Sequence, residues 1–326
     1  MKAVLVDAYE VSERGRKLQA EIFAKNGFEF REENCRTGEE IIARCADADV
    51  ILDVYRMIGE DVLAGLPKCR GLVRYGIGYD VFDVDAATRR GIPVCNIPNY
   101  CIPEVASHTM ALILGASRQL VHSTLGIRQG LWNQAPGRLT MHRFSSQTLG
   151  LLGFGHIAQE VAAYAKPFGF TVLAYDPYMP AAVFEKCGVR SATLDEVVAQ
   201  SDILSCHTLL NDETRHMLNR ERFAQMKDGV IIVNTSRAGV IDEAALIEAL
   251  RSGKVAAAGL DVVEQDVMPP DYPLLHMDHV TLTPHAAYNS YEATTELYRR
   301  VAETAVVILQ GNMPDNAVNK KALARG

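Results

Sequence analysis

The amino-acid sequence predicts an α/β protein with two doubly wound parallel sheets. Short apolar segments alternate with amphipathic helical segments along most of the chain. A glycine-rich turn joins one of these strands to a helix near the middle of the sequence, and 326 residues are enough for two domains of ordinary size. Such alternation is typical of parallel βαβ units with helices on both faces of the sheet.

The composition disfavours several other classes of protein. The chain is 48% hydrophobic and 22% charged, with a net charge of −7 and no run of basic residues, so neither nucleic acid nor an anionic membrane is expected as a partner. Its seven cysteines include no Cys-x-x-Cys pair, which indicates reduced thiols in a cytoplasmic protein without a metal site. No signal peptide is expected, because the apolar stretch at the start is short and interrupted by Asp7, and no apolar run approaches the roughly 18 residues of a membrane span.

The N-terminal part, from Met1 to about Pro98, alternates between predicted strands and helices. Strands are predicted in KAVLVDA, DVILDVY, GLVRY and IPVCN. The helix in SERGRKLQAEIFAKNG is expected to end at Gly27, because glycine commonly terminates helices. A long helix is then expected from about Pro103 to Gln129, since apolar residues recur there every three or four positions, and it would connect the two domains.

From Thr148 the alternation resumes. Strands are predicted in TLGLLGFG, FTVLAYD, ILSCHT, GVIIVNTS, AAAGLDVV and HVTLTPH. Thr193 and Glu196 have the spacing of a helix capping box, and DEAALIEALRSG lies between an aspartate cap and a glycine stop. A last helix is expected from about Ser290 to Gln310, followed by a loose tail. Both parts therefore predict Rossmann/flavodoxin-like sheets.

The glycine-rich turn predicts a dinucleotide site. It has the pattern Gly153-x-Gly155-x-x-Ala158, follows a strand and opens a helix. The first glycine allows the tight turn, the second allows a pyrophosphate to approach the backbone, and the alanine is small enough for helix–strand packing. Asp176 ends the next strand, where a carboxylate can bind the ribose hydroxyls and would repel a 2′-phosphate. The pattern predicts NAD as the cofactor.

Candidate catalytic side chains follow three later strands, and the carboxyl ends of parallel strands share one edge of a sheet. They are Thr235, Ser236 and Arg237 after the first, Asp261, Glu264 and Asp266 after the second, and His285 after the third. A histidine can exchange the proton of a substrate oxygen, an arginine can bind a carboxylate and polarise a carbonyl, and an acid can orient the histidine. His156 and His207 are expected near the cofactor, while His108, within the long helix, receives no role.

Six motifs in order give the chain a resemblance to the D-2-hydroxyacid dehydrogenase family over nearly its whole length. They are RYGIGYDVFDV, PEVASHTMAL, TLGLLGFGHIAQ, NTSRAGVIDEAAL, GLDVVEQD and LTPHAAY. The segments FGFTVLAYDPYM and HAAY look most similar to the branch that contains the C-terminal-binding proteins. The resemblance implies an NAD-dependent enzyme that transfers hydride between the cofactor and the C2 of a small 2-oxo or D-2-hydroxy acid.

The resemblance also implies residue roles. Arg237 and His285 match the catalytic arginine and histidine, with Asp266 in register with the supporting acid. Substrate contacts are implied for Arg74, Ile77, Gly78, Tyr100 and Tyr288. Cofactor contacts are implied for Ile77, Thr109, Gly153, Phe154, Gly155, His156, Ile157, Asp176, His207, Thr208, Thr235, Ser236, Arg237, Asp261, His285 and Ala287.

The family architecture further implies a discontinuous substrate-binding domain, residues 1–101 and 286–326, around an NAD-binding domain, residues 102–285. It implies a homodimer. One alternative is an NAD(H)-sensing, dimeric, corepressor-like binding protein with little catalysis, and another is an enzyme of the same fold that acts on formate or phosphite. The chain departs from the family pattern at the supporting acid, since Asp266 stands where glutamate is usual and Val267 replaces a proline. Glu264, two residues earlier, remains a possible substitute for Asp266.

Overall fold

The structure of the chain is a computed structural model that describes residues 1–132, 140–265 and 267–324. Its contacts divide the chain into two compact units. Unit 1 comprises Met1–Tyr100 and Ser290–Gly326, and unit 2 comprises Cys101–Asn289. The chain thus crosses between the units at 100/101 and at 289/290, whereas the sequence analysis placed the crossings at 101/102 and 285/286.

The strands and helices follow the predicted alternation. The strands are β1 (Lys2–Leu5), β2 (Glu29–Glu32), β3 (Val50–Asp53), β4 (Gly71–Arg74), β5 (Val94–Cys95), β6 (Thr148–Leu152), β7 (Thr171–Tyr175), β8 (Arg190–Ser191), β9 (Ile203–Cys206), β10 (Val230–Asn234), β11 (Val255–Leu260) and β12 (Val280–Leu282). The helices are α1 (Glu13–Lys25), α2 (Gly38–Cys45), α3 (Glu60–Ala64), α4 (Val84–Arg89), α5 (Ile102–Ser117), α6 (Leu120–Arg128), α7 (His156–Ala165), α8 (Ala181–Cys187), α9 (Leu194–Gln200), α10 (Arg220–Gln225), α11 (Glu243–Ser252), α12 (Tyr291–Leu309) and α13 (Lys320–Leu323).

Unit 1 is a parallel sheet of order β2-β1-β3-β4-β5 with helices on both faces. Alternate residues of β1 serve the two faces: Ala3 and Leu5 pack in the core that includes α1 and α12, and Val4 packs in the core that includes α2, α3 and α4. Because both faces are covered, the inner strands are apolar without alternation. This order is that of a flavodoxin-like sheet.

Unit 2 is a parallel sheet of order β12-β11-β10-β9-β6-β7-β8. The strand order reverses between β6 and β9, which pair with each other at the centre of the sheet. In such sheets ligands bind beyond the carboxyl ends of the strands at this switch point. The prediction of two doubly wound parallel-sheet domains is confirmed.

Several local predictions are confirmed, and two are corrected. Thr193 and Glu196 form a reciprocal capping box at α9. The single helix expected from about 103 to 129 is instead two helices, because Gln119 adopts a left-handed conformation with φ 52° between α5 and α6. Hydrophobic periodicity does not reveal the left-handed conformation of a single residue, because the apolar positions continue on both sides of Gln119.

The C-terminal tail, expected to be loose, is hydrogen-bonded to the edge strand β5. Asn319 accepts a hydrogen bond from the Val94 N–H at 3.0 Å and donates to the Ile92 carbonyl at 2.9 Å. Asn316 donates to the Asn96 carbonyl at 2.6 Å. Side-chain amides therefore supply partners that an edge strand otherwise lacks, and a sequence pattern does not reveal such long-range bonds.

All seven cysteines are free thiols. Six are buried, and Cys187 is partly exposed. Burial raises the pKa of Cys45, Cys95 and Cys206 to about 12. Among the described residues, no helix has both the length and the hydrophobicity to cross a bilayer.

Candidate active site

The glycine turn after β6 is shaped by two glycines with different constraints. Gly153 has φ 87°, and a Cβ there would lie 2.8 Å from the carbonyl oxygen of His207. Gly155, the N-cap of α7, would carry a Cβ with no protein atom within 4 Å. Packing within the chain therefore requires glycine at 153 but not at 155, where the open space leaves the N-terminus of α7 accessible to an anion.

Asp176 is fixed against this turn. One of its carboxylate oxygens accepts the Phe154 N–H at 2.9 Å, and the other accepts the Tyr178 N–H at 3.0 Å. The carboxylate keeps further lone pairs for ligand hydroxyls. Phe154 itself is fully buried and stacks on Phe184 with ring centroids 4.6 Å apart, so it supports the turn and offers a ligand neither side chain nor free N–H.

His207 and Thr208 follow β9, beside the switch point. The His207 Nε2 lies 2.9 Å from the Ser205 hydroxyl, and burial lowers the pKa of His207 to about 4. His207 is therefore neutral near pH 7 and poorly suited to carry a catalytic proton. Within the described residues, the buried Thr208 hydroxyl has no hydrogen-bond partner, which fits a ligand that would supply one.

The segment after β10 is held by Asn234. Its side-chain oxygen accepts from the N–H and the hydroxyl of Ser236 at 2.9 and 2.8 Å, and its amide donates to the Arg237 carbonyl at 2.9 Å. Arg237 is partly exposed, and its guanidinium donates to the Ser236 carbonyl at 2.9 Å. Asn234, which the sequence analysis did not single out, thus fixes the backbone that presents Arg237.

Thr109 lies in the middle of α5 and is 0% exposed. Its hydroxyl donates to the Val105 carbonyl at 2.7 Å and lies 2.8 Å from the Thr235 hydroxyl. The Thr109 hydroxyl thus contacts Thr235 from within the protein, and its implied contact with a phosphate stays a prediction.

Asp261 is 2% exposed and organises the segment after β12. Its carboxylate accepts hydrogen bonds from the Thr283 hydroxyl at 2.5 Å and from the N–H groups of Ala286 and Ala287 at 2.9 Å each. The His285 N–H donates to the Asp261 carbonyl at 3.0 Å. Asp261 therefore supports the turn that carries His285, a role that its burial favours over direct contact with a cofactor.

His285 is exposed and has φ 51°, an uncommon backbone conformation for a residue other than glycine. Such strain persists only where surrounding bonds hold it, and it is concentrated at functional sites. The Asp261 bonds provide that restraint.

Of the two candidate partners of His285, Asp266 and Glu264, the structure describes only Glu264. Asp266 lies outside the described residues. The Glu264 carboxylate lies 3.9 Å from His216 Nε2, and the Glu264 N–H donates to Glu243 at 2.9 Å. The assignment of Asp266 as the supporting acid stays a prediction.

Unit 1 carries its own set of predicted site residues at the carboxyl end of β4. Arg74 is 8% exposed, its guanidinium donates to the Tyr75 carbonyl, and its Cζ lies 5.4 Å from the centroid of the Tyr55 ring. Ile77 and Gly78 follow on a partly exposed loop, whose Ile77 carbonyl accepts from the Asn96 amide at 2.7 Å.

Of the two predicted pocket tyrosines, Tyr100 packs at the margin of the unit 1 core, whereas Tyr288 belongs to unit 2.

Two buried carboxyl groups beside Arg74 had no sequence signal. Asp7 accepts the N–H groups of Val54 and Tyr55 at 3.1 and 2.9 Å, and Asp53 is the cross-strand partner of Arg74. Burial raises the pKa of Asp7, and burial together with the charge of Asp7 raises that of Asp53 well above its usual range. In the part of the chain that the structure describes, no group of three or more His, Cys, Asp or Glu is placed to hold a metal ion.

A family model for the NAD-binding domain of D-isomer-specific 2-hydroxyacid dehydrogenases matches residues 110–287. The chain belongs to this family. The glycine turn, the open N-terminus of α7, Asp176 and the unpartnered Thr208 hydroxyl fit the cofactor that the family model names, and the cofactor of this dehydrogenase is NAD.

Individual proteins similar to this chain are also 2-hydroxyacid dehydrogenases or reductases. The chain is 36% identical to a glyoxylate reductase of Korarchaeum cryptofilum, over 99% of this chain and 98% of that protein. It is 39% identical to a D-3-phosphoglycerate dehydrogenase of Methanocaldococcus jannaschii over 87% of this chain, and spans 54% of the length of that protein. The structure is similar to that of a D-lactate dehydrogenase of Aquifex aeolicus complexed with NAD and lactic acid, with a TM-score of 0.85, 26% identity and coverage of 96% of each chain.

This dehydrogenase is therefore an NAD-dependent oxidoreductase acting on 2-hydroxy acids. Its resemblance to the C-terminal-binding branch stays a prediction.

The two glycines of the turn should respond differently to substitution. Gly155→Ala should leave the free energy of unfolding within about 0.5 kcal/mol of the wild type, since its Cβ meets no protein atom. It should weaken NADH binding by about tenfold or more, because the methyl group occupies the space beside the α7 N-terminus. Gly153→Ala should also destabilise the fold, by about 1–3 kcal/mol, through its positive φ and the clash with His207.

NADH fluorescence titration and urea unfolding measure the two effects separately. Gly229→Ala provides a matched control for the positive φ alone, since it has φ 80° and no neighbour within 4 Å. Equal NADH affinity in Gly155→Ala and the wild type would contradict this placement of the dinucleotide.

Proposed function

We propose that this dehydrogenase reduces a small 2-oxo acid to the D-2-hydroxy acid, reversibly. NADH supplies the hydride that C2 of the substrate receives, and the carbonyl oxygen takes a proton from His285. The observation that carries the proposal is that separate hydrogen-bond sets hold Arg237 and His285, at the carboxyl ends of β10 and β12 of the dinucleotide-binding sheet.

Arg237 binds the substrate carboxylate and polarises the adjacent carbonyl. A planar guanidinium suits this role, because it presents parallel donors to a carboxylate and stays charged. Asn234 and Ser236 bond its backbone and its guanidinium, respectively, which reduces the conformational freedom lost on substrate binding.

His285 donates the proton during reduction and accepts it during oxidation. Asp266 is its proposed partner, orienting the imidazole and favouring its protonated form. The turn from Thr283 to Ala287 holds the backbone of His285 through Asp261, so the imidazole starts from a defined Cα position.

We propose that direct cofactor contacts come from the exposed or partly exposed members of the predicted set. In unit 2 these are Gly155, His156, Ile157, Asp176, His207, Thr208, Thr235, Ser236, Arg237 and His285, and in unit 1 Ile77. Gly153 is buried and contributes the tight turn on which the cofactor would lie. Thr109, Phe154, Asp261 and Ala287 support them from beneath the surface, since all four are buried.

In unit 1, the proposed substrate contacts are Arg74, Ile77, Gly78 and Tyr100. In unit 2, the proposed substrate contact is Tyr288. The backbone N–H groups of the loop after β4 suit a carboxylate, and Arg74 adds a positive charge. The carboxyl groups of Asp7 and Asp53 are buried beside that arginine, and burial raises the pKa of both.

A substrate panel tests the reaction. The protein is mixed with NADH and, separately, with glyoxylate, hydroxypyruvate, pyruvate and branched 2-oxo acids, and absorbance at the NADH band is followed. We expect oxidation of NADH with at least one of them, and Arg237→Met should lower kcat/KM by about a hundredfold or more. Folded protein that binds NADH yet oxidises it with no 2-oxo acid would refute the proposed reaction.

The acid that serves His285 is tested by two conservative variants. Asp266→Asn should lower kcat by about tenfold to a hundredfold and flatten the acid side of its pH profile, because the imidazolium loses its counter-charge. Glu264→Gln should stay within about twofold of the wild type, since its carboxylate lies beside His216. The reverse ranking would transfer the role to Glu264.

We further propose a cytoplasmic homodimer with no nucleic-acid or membrane partner, in line with the acidic charge and the reduced thiols. Light scattering after size exclusion should give twice the chain mass of 35.8 kDa both with and without NADH. A monomer that dimerises only when NADH is added would instead favour the NAD(H)-sensing alternative.

A further inference from the structure

We propose that His108 is a positioning residue for His285, acting through Thr283 and Asp261. The proposal rests on the proposed role of His285. His108 lies on α5, and its Nε2 is 3.0 Å from the Thr283 hydroxyl and 3.6 Å from the Asp261 carboxylate. The contact joins residues 175 positions apart in the sequence.

The direction of these hydrogen bonds follows from counting protons. The Thr283 hydroxyl has one proton, and it donates that proton to Asp261 at 2.5 Å. Thr283 can therefore only accept from His108, so the Nε2 of His108 carries a hydrogen. The result is a chain of donors that begins at His108, passes through Thr283 and ends at the Asp261 carboxylate.

This series of hydrogen bonds is important because Asp261 is a buried carboxylate. It is 2% exposed, and it depends on protein donors: the Thr283 hydroxyl and the N–H groups of Ala286 and Ala287. A buried acceptor that loses a donor is strongly destabilised, and it moves or changes protonation to recover one. His108 prevents this by fixing the orientation of the Thr283 hydroxyl.

The turn that Asp261 stabilises carries His285. The bonds from Asp261 bracket His285 on both sides, at Thr283 and at Ala286, and the backbone of His285 is strained at φ 51°. A looser turn would let this residue relax toward a common conformation and carry the imidazole away from the substrate.

Helix α5 is well placed to supply this brace, because it lies close to the sheet. A Cβ at Gly259 of β11 would be 2.9 Å from the Cβ of Leu112, so glycine permits the close approach. The next residue after His108 braces the other segment: the Thr109 hydroxyl donates to Val105 and accepts from Thr235. Two consecutive side chains of one helix thus hold the segments after β10 and β12.

Three variants test the proposal through kinetics. His108→Leu removes the donor, and His108→Gln keeps an N–H donor at a similar reach. Ser107→Ala is a control on the same turn of α5, because the exposed Ser107 hydroxyl donates to the Glu104 carbonyl of the same helix. We expect His108→Leu to lower kcat by about tenfold, the loss of one critical hydrogen bond, with KM for NADH within about twofold. His108→Gln should recover most of kcat, and Ser107→Ala should match the wild type.

A spectroscopic measurement tests the hydrogen bonds from His108 through Thr283 to Asp261 without relying on turnover. Long-range proton–nitrogen NMR of histidine-labelled protein should show a hydrogen on His108 Nε2, and Thr283→Val should shift that signal and the signals of His285. If the wild type reduced no 2-oxo acid, the proposed reaction would be refuted. The spectra would still show whether His108 positions His285.

The proposal is overturned by any of three results: His108→Leu with native stability and wild-type kcat, His108→Gln as impaired as His108→Leu, or His285 signals that Thr283→Val leaves unchanged. A His108→Leu variant that does not fold leaves the decision to His108→Gln and to the spectra of Thr283→Val, each of which supports or overturns the proposal.

Discussion

The carboxylate of Asp261 is the constraint on which the geometry of unit 2 depends. It stands at the end of β11 and accepts bonds from Thr283, Ala286 and Ala287 after β12, so two neighbouring strand ends are joined by one buried charge. Folding must bury that charge with all its donors present, because a partly satisfied carboxylate in this position is costly. The position of the exposed His285 thus depends on Asp261, a residue that is almost fully buried.

Unit 1 also buries ionisable side chains at the end of its sheet, but here two carboxyl groups lie beside two arginines. Asp7 and Asp53 are both 0% exposed beside Arg74, and burial raises the pKa of both carboxyl groups, that of Asp53 well above its usual range. Two full negative charges there would cancel the charge of Arg74 and of the nearby Arg56, whose Nε lies 3.8 Å from Asp7. Raising the pKa of a carboxyl group reduces the negative charge that opposes these arginines.

Sequence patterns predicted the fold class, the glycine turn, Asp176 and the capping of α9, because each depends on residues close together in the chain or on strand periodicity. They did not predict the break at Gln119, the asparagine bonds of the tail, or the roles of His108 and Asn234. The tail and His108 depend on contacts such as Asn319 to Ile92 and His108 to Thr283, which are 227 and 175 residues apart. Hydrophobic periodicity carries no information about a polar partner that far away. The break at Gln119 and the bonds from Asn234 to Ser236 and Arg237 are local, but they follow no hydrophobic pattern.

The distribution of the thiols makes the native chain selectively reactive. Cys187 alone among the seven cysteines is partly exposed, while the other six are buried. Thiol reagents attack the thiolate, which the buried, high-pKa cysteines rarely form. A maleimide dye would therefore attach once per native chain, at the end of α8 in unit 2, and a fluorophore placed there would report on the dinucleotide-binding unit alone.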